Sequence, residues 1–108
     1  MVESPAWRGT VTTYFISRHP GGRNWAERQG LSVDRVLDHL EVAAVRPEDV
    51  VIGTLPINLA AEVCVRGARY LHLSLDLPFE KRGLELSADE MQRFGARIEE
   101  YRVEKISC

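Results

Sequence analysis

A strand–helix–strand unit over residues 50–77 constrains the fold of this 108-residue chain more than any other feature. A short apolar run at 50–52 is typical of a strand that is covered on both faces. Pro56 stands where the first turn of a helix tolerates proline, and Gly67 stands where that helix can end. Residues 70–77 then alternate between leucine and polar side chains, as a strand does. Strands joined in this way run parallel with a right-handed crossover, so the unit predicts an α/β protein.

The residues before this unit predict two further strands and one helix. Residues 10–17 are rich in β-branched and aromatic side chains and indicate a first strand. Residues 23–30 can form two helical turns, with Gly30 as the stop. Residues 35–40 fit either a strand or a helix, and we favour a strand.

The residues after the unit predict a last helix. Ser87 and Glu90 have the spacing of a capping box. We expect the helix to continue from Ser87 to Tyr101, and residues 102–106 to add an edge strand. The side chains expected to face inward from this helix are Met91, Phe94, Ile98 and Tyr101.

Length and composition limit the fold and the function. The predicted order βαββαβα(β) describes one Rossmann-like three-layer domain over residues 1–108, with a mainly parallel sheet and a flexible segment at 1–9. A net charge of −2 and a pI near 5.9 argue against binding to duplex DNA. No segment approaches the roughly 20 apolar residues of a membrane span, and no signal peptide is recognisable. Cys64 and Cys108 show neither metal-site spacing nor a pattern of disulfide partners. We therefore expect a protein of the reducing cytoplasm.

Two loops are candidates for a ligand site, because in an open α/β sheet ligands bind beyond the carboxyl ends of the strands. The loop 17–22 follows the first strand and the loop 53–58 follows the strand at 50–53. If these strands are neighbours, the loops meet where a helix begins, and a helix amino end attracts phosphate. The predicted catalytic residues are Ser17, Arg18 and His19; the predicted binding residues are Gly21, Trp25, Gly53, Thr54, Leu55, Pro56 and Asn58.

Each of these residues also has an ordinary structural explanation. Most arginines are solvated, glycines serve turns, and Thr54 fits a helix cap better than a catalyst. The sequence contains neither a G-x-G-x-x-G motif nor a P-loop lysine. His39 is interpreted as structural, and the polar side of residues 70–77 as a solvated or interface face rather than a catalytic triad. The site prediction therefore rests on the two loops converging.

Three segments carry a resemblance to a known family: "YFISRHPG", "VIGTLPINLAAEVCVRGARYLHLSLDLP" and "RGLELSADEM". From about Val11 to Tyr101 the chain resembles a small CRISPR-associated accessory family of type III loci. The resemblance implies a ring nuclease that degrades cyclic tetra-adenylate and so switches off antiviral signalling. It also implies a CARF-like architecture, related to the CRISPR-associated Rossmann-fold sensors.

Cyclic oligoadenylate carries its own nucleophile, the 2′-hydroxyl beside each scissile phosphate, so the protein needs to supply alignment, charge and proton transfer. We expect Arg18 to stabilise the phosphorane and His19 to act as acid or base, since imidazole titrates near neutrality. Ser17, Thr54 and the N–H groups of Ile57 and Asn58 would hold the phosphate. Trp25 or Tyr14 would stack on adenine, although both residues fit a core equally well.

No metal or other cofactor is expected, and the products would be linear oligoadenylates that end in a 2′,3′-cyclic phosphate. A homodimer would present one crevice to each half of the symmetric ring. Two other classes of function stay open at this point. One is a non-catalytic module that senses or sequesters the ring, and the other is an enzyme that acts on an ordinary nucleotide or sugar phosphate.

Overall fold

The computed structural model describes residues 11–17 and 21–106 of the chain. Within these residues the backbone forms five strands and three helices. In chain order they are β1 (Thr13–Ile16), α1 (Gly22–Arg28), β2 (Arg35–Leu37), β3 (Val50–Gly53), α2 (Ile57–Val65), β4 (Arg69–Ser74), α3 (Ala88–Arg93) and β5 (Arg97–Tyr101). Single 3-10 turns lie at Val42–Ala44 and Phe79–Lys81. None of the described helices is long and apolar enough to span a bilayer.

The five strands form one sheet in the order β2-β1-β3-β4-β5. The pairs β1–β2, β1–β3 and β3–β4 are parallel, and β5 is antiparallel to β4. The predicted α/β class with a mainly parallel sheet is therefore confirmed, and the arrangement is consistent with a Rossmann-like fold. From β1 the chain passes to β2 on one side and then returns to β3 on the other side of β1. The strand order therefore reverses between β1 and β3.

The helices cover both faces of the sheet, so the described residues make three layers. Helices α1 and α3 pack together over one face, where Phe15, Trp25 and Met91 are buried. Helix α2 covers the other face, where Tyr14 and Val63 belong to the second apolar cluster. Alternation along β1 explains this division, because adjacent side chains of a strand point to opposite faces.

The predicted last helix is too long. The capping box is present, with the Glu90 N–H donating to Ser87 Oγ at 3.1 Å, but α3 ends at Arg93. Gly95 follows with a φ of +73°, a backbone angle that ends the helix. Residues 97–101 then form β5, whereas residues 102–106 adopt no regular structure. The expected helix face with Ile98 and Tyr101, and the expected strand at 102–106, are both wrong.

Candidate functional site

The predicted meeting of the two loops is confirmed for their described residues. β1 and β3 are neighbours, and their last paired residues are Ile16 and Gly53. A crevice of about 710 Å³ lies beyond these strand ends. Its walls come from the carboxyl ends of four strands, from the first residues of α2 and from the loop before α3. The lining residues include Ser17, Asp38, His39, Thr54, Leu55, Pro56, Leu75 and Glu85.

The first loop enters the crevice at Ser17. This residue follows β1 directly, is half-buried, and donates its N–H to the Leu37 carbonyl of β2 at 3.0 Å. Gly21 is buried at the start of α1, and its N–H donates to the Leu86 carbonyl at 3.0 Å. A Cβ on Gly21 would lie 2.1 Å from the Ala88 nitrogen, so this glycine lets α1 approach α3. The predicted catalytic residues Arg18 and His19 lie outside the described residues.

The second loop is tied to β4 by three hydrogen bonds. Thr54 Oγ1 donates to the Leu73 carbonyl at 2.5 Å, and the Leu55 N–H donates to Tyr70 Oη at 3.0 Å. Tyr70 Oη also lies 3.1 Å from the Gly53 carbonyl, to which it donates. The helix cap is Pro56, so the expected cap at Thr54 is wrong. Since its single proton goes to Leu73, the Thr54 hydroxyl cannot donate to a phosphate in this arrangement.

The amino end of α2 is the element of the crevice suited to an anion. Pro56 caps the helix without a side-chain hydrogen bond, and its carbonyl accepts from the N–H groups of Leu59 and Ala60. Among the described residues, the N–H groups of Ile57 and Asn58 have no hydrogen-bond partner. Both residues are exposed, and the first turn contains no acidic side chain. The partial positive charge of the helix end is therefore not neutralised within its own turn.

The charged side chains around the crevice work against an anion. Asp38 and Glu85 both line it and both are exposed, while the described lining contains neither lysine nor arginine. Two carboxylates repel a phosphate, although solvent and salt weaken this repulsion. Within the described lining, the α2 amino end is the element that offsets this repulsion.

His39 is the site residue that sequence reasoning missed. It was interpreted as structural, but it follows β2 and its exposed side chain lines the crevice. His39 lies just after β2, as Ser17 lies after β1 and Thr54 after β3. The predicted strand ran from residue 35 to residue 40 and so placed His39 within it, whereas β2 ends at Leu37 and leaves His39 beyond the strand.

The two aromatic residues considered for stacking are core residues. Trp25 is 1% exposed and packs with Phe15 and Met91, and Tyr14 is 7% exposed in the cluster under α2. Neither ring has a free face for a base, so the binding role assigned to Trp25 is corrected. The described residues also contain no group of three His, Cys, Asp or Glu side chains that could hold a metal ion. Metal-independent chemistry stays a prediction.

One protein-family model matches the chain over residues 14–104, well over half of its length. Its description is "Putative CRISPR-associated protein (Cas_VVA1548)". The matched range contains both loops of the crevice, including the segment 18–20. No curated protein and no solved structure matches the chain. Because the match spans most of the sequence, the chain belongs to this CRISPR-associated family.

Proposed function

We propose that this protein is a CARF-like ring nuclease that binds cyclic oligoadenylate, with cyclic tetra-adenylate as the expected ring, and cleaves it without a metal ion. The observation that carries the proposal is that the ends of β1 and β3 meet the amino end of α2 in one crevice. Open α/β sheets bind ligands at this position, and helix amino ends favour phosphate. Membership of a CRISPR-associated family supports a link to the cyclic messengers of type III systems.

Cleavage needs the 2′-hydroxyl oxygen to bond to the adjacent phosphorus while the bond to the 5′-oxygen breaks. The 2′-proton passes to a base, and an acid protonates the leaving 5′-oxygen, which yields a 2′,3′-cyclic phosphate and a 5′-hydroxyl. The N–H groups of Ile57 and Asn58 bind the non-bridging oxygens, and Arg18 stabilises the charge of the phosphorane. His19 and His39 supply the two proton-transfer groups, the base and the acid.

A homodimer fits a symmetric ring. Each protomer contributes one crevice, and a two-fold axis relates the two crevices as it relates the two halves of cyclic tetra-adenylate. Two cleavages on opposite sides of the ring then give two linear fragments of equal length. The dimer also gives a chain of this size additional apolar surface to bury.

The alternative is sequestration of the ring without cleavage. It is favoured by one observation: the described lining holds one imidazole, two carboxylates and no arginine or lysine. Such a crevice can hold a ring through α2 and its leucines, yet it stabilises a phosphorane poorly unless Arg18 reaches it. Binding and cleavage are therefore separable by experiment.

The experiment is incubation of excess protein with labelled cyclic di-, tri-, tetra- and hexa-adenylate, with and without EDTA, followed by product analysis. We expect linear products with a 2′,3′-cyclic phosphate in both conditions. Arg18→Ala, His19→Ala and His39→Ala should keep binding and lose turnover, whereas Arg102→Ala, a solvated arginine, serves as the matched control. Binding without product indicates sequestration, and no binding of any ring indicates an enzyme of ordinary nucleotides or sugar phosphates.

A further inference from the structure

A second cavity, of about 310 Å³, lies on the α2 side of the sheet over β4 and β5. Apart from the Ile57 N–H, its lining has no part in the proposed cleavage. Its lining is apolar apart from the side-chain polar groups of two tyrosines, one histidine and one serine. The lining residues are Leu55, Ile57, Ala60, Tyr70, His72, Ser74, Tyr101 and Val103. Since none of them carries a carboxylate or an ammonium group, the cavity suits an uncharged, mainly apolar ligand.

The hydrogen bonds of Tyr70 orient the ring of His72. Tyr70 Oη has three neighbours: the Leu55 N–H at 3.0 Å, the Gly53 carbonyl at 3.1 Å and His72 Nδ1 at 2.6 Å. A phenol offers one proton and two lone pairs. The Leu55 N–H occupies one lone pair, and the phenol proton lies between two acceptors, the Gly53 carbonyl and His72 Nδ1. Tyr70 therefore engages the Nδ1 side of the His72 ring, which leaves Nε2 as the ring nitrogen that a ligand can reach, as donor or acceptor according to the tautomer.

The aromatic side chains of the cavity suit a planar ligand. Tyr101 is 48% exposed, and its ring lies at 87° to that of His72 with 5.8 Å between the centroids. Two rings at right angles offer a flat ligand one face for stacking and one edge for hydrogen bonding. Ser74 adds a hydroxyl that can donate to the ligand. An adenine matches both groups, because its amino group and the adjacent ring nitrogen offer one donor and one acceptor to Nε2 and to the Ser74 hydroxyl.

The two cavities share one wall. Leu55 lines both of them, Pro56 lines the crevice and Ile57 lines the second cavity. The amino end of α2, where the proposed phosphate binds, therefore lies between the crevice and the second cavity. A nucleotide with its phosphate at α2 has its base beside one cavity or the other.

We propose that the second cavity is a base subsite that binds an adenine of the cyclic oligoadenylate by stacking on Tyr101 and hydrogen bonding to His72 Nε2. This inference rests on the proposed function for the identity of the ligand, but the cavity itself can be tested without it. Bases that stack on an aromatic side chain lose about 5- to 150-fold in affinity when it is replaced by alanine.

The test uses Tyr101→Ala with Tyr101→Phe as the matched control, and Ser74→Ala as a second variant. Tyr101→Phe keeps the ring and loses only a 3.4 Å hydrogen bond to Glu99, so it should bind like the wild type. Adenosine 5′-monophosphate and ribose 5-phosphate are titrated into the full chain while the His72 ring resonances are followed by NMR. Affinity and turnover with cyclic tetra-adenylate are measured in parallel, and thermal unfolding verifies that each variant is folded.

We expect adenosine monophosphate, but not ribose phosphate, to shift His72, and Tyr101→Ala to weaken cyclic tetra-adenylate binding by at least fivefold at nearly unchanged kcat. Equal shifts with both probes, or equal affinity of Tyr101→Ala and wild type, would overturn the subsite. If adenosine monophosphate shifts His72 while no cyclic oligoadenylate binds, the subsite stands and the proposed function falls. If the ring is bound and cut with no effect of Tyr101→Ala or Ser74→Ala, the function stands and the subsite falls.

Discussion

Replacing Tyr70 with phenylalanine tests the hydrogen-bonded joint between the β3–α2 loop and β4. The hydroxyl is the only group changed, and the ring is 2% exposed, so the apolar packing is retained. The substitution removes the acceptor of the Leu55 N–H, a donor to the Gly53 carbonyl and the partner of His72 Nδ1. Three polar groups around one buried oxygen therefore lose a partner at once.

The loss of stability depends on how far these three polar groups can hydrogen bond to water after the substitution. A buried polar group without a partner costs about 1–3 kcal/mol. Leu55 and His72 are half-buried and recover part of this cost, whereas Gly53 is buried. We expect Tyr70→Phe to lower the free energy of unfolding by about 2–3 kcal/mol, a large fraction of the 5–15 kcal/mol typical of a domain. Tyr101→Phe, which loses one long hydrogen bond at an exposed position, should change it by less than about 0.5 kcal/mol.

Urea unfolding of the two variants beside the wild type measures this difference, with the m-value as a check that the unfolded states are comparable. The pH dependence gives a second readout. Burial raises the pKa of Tyr70 above its ordinary 10.0, so the folded state holds this proton more tightly than the unfolded state does. Its contribution to stability is complete below pH 10 and is lost as the pH rises through the raised pKa of the folded state.

Wild type should therefore lose more stability above pH 10 than Tyr70→Phe does, while Tyr101→Phe should follow the wild type. Two results would refute the reasoning. One is a Tyr70→Phe variant as stable as Tyr101→Phe at neutral pH, and the other is an identical alkaline decline in all three proteins.

Two further substitutions test the packing at the start of α1 and the hydrogen bonding at the amino ends of β1 and β3. Gly21→Ala puts a Cβ against the backbone at the start of α3, which cannot move aside as a flexible side chain can. We expect urea unfolding to show a free energy of unfolding lower by about 3 kcal/mol or more. Gly30→Ala has open space around its Cβ but a φ of +75°, so it should lower the free energy of unfolding by only about 1–2 kcal/mol. Asp49→Ala removes a 1% exposed carboxylate that accepts the N–H groups of Thr12 and Arg46, both at 2.9 Å, so we expect a loss of about 3 kcal/mol. The exposed Asp34, which accepts the Thr13 N–H, is its matched control, and similar losses for Asp34→Ala and Asp49→Ala would contradict the role of burial.

The central part of the fold could be predicted because its signals are local. The unit β3–α2–β4 is delimited by Pro56 at the start of the helix and by Gly67 at its end, and the apolar run of β3 needs cover on both faces. Each of these signals involves residues close together in the chain. The crossover placed the second loop at the carboxyl edge of the sheet, whereas the first loop lies there because β1 pairs with β3, which the prediction had assumed.

The prediction of the carboxyl-terminal part was wrong because its structure depends on contacts between residues that are distant in the chain. Met91, Phe94, Ile98 and Tyr101 have helical spacing, and nothing local distinguishes that pattern from a short helix followed by a strand. β5 exists because it pairs with β4, where Arg69 makes a bidentate ion pair with Glu100 and Ile98 joins the apolar cluster under α3. Such pairing is decided by tertiary contacts that local helix propensity does not contain. Gly95 was the one available clue, as a helix stop.

This error also concealed the second cavity. With residues 97–101 assigned to a helix, the prediction did not place Tyr101 near His72. The polar side of residues 70–77 was therefore interpreted as a solvated or interface face. The ladder between β4 and β5 places Tyr101 opposite Tyr70 and Glu99 opposite His72. A mistake about one strand therefore removed a whole candidate site, whereas the crevice survived because its two strands were both assigned correctly.

The loop from Gly53 to Pro56 is the point where the two proposed sites depend on each other. Thr54 anchors it to β4 on the crevice side, and Tyr70 anchors it on the side of the second cavity while orienting His72. Leu55 lines both the crevice and the second cavity, so a ligand in either one contacts the same short loop. His39 and Tyr101 each belong to only one of the two proposed sites, so their substitutions should affect turnover and affinity separately. Tyr70 contacts both the loop and His72 of the proposed base subsite, so Tyr70→Phe should affect both turnover and affinity in the same assays.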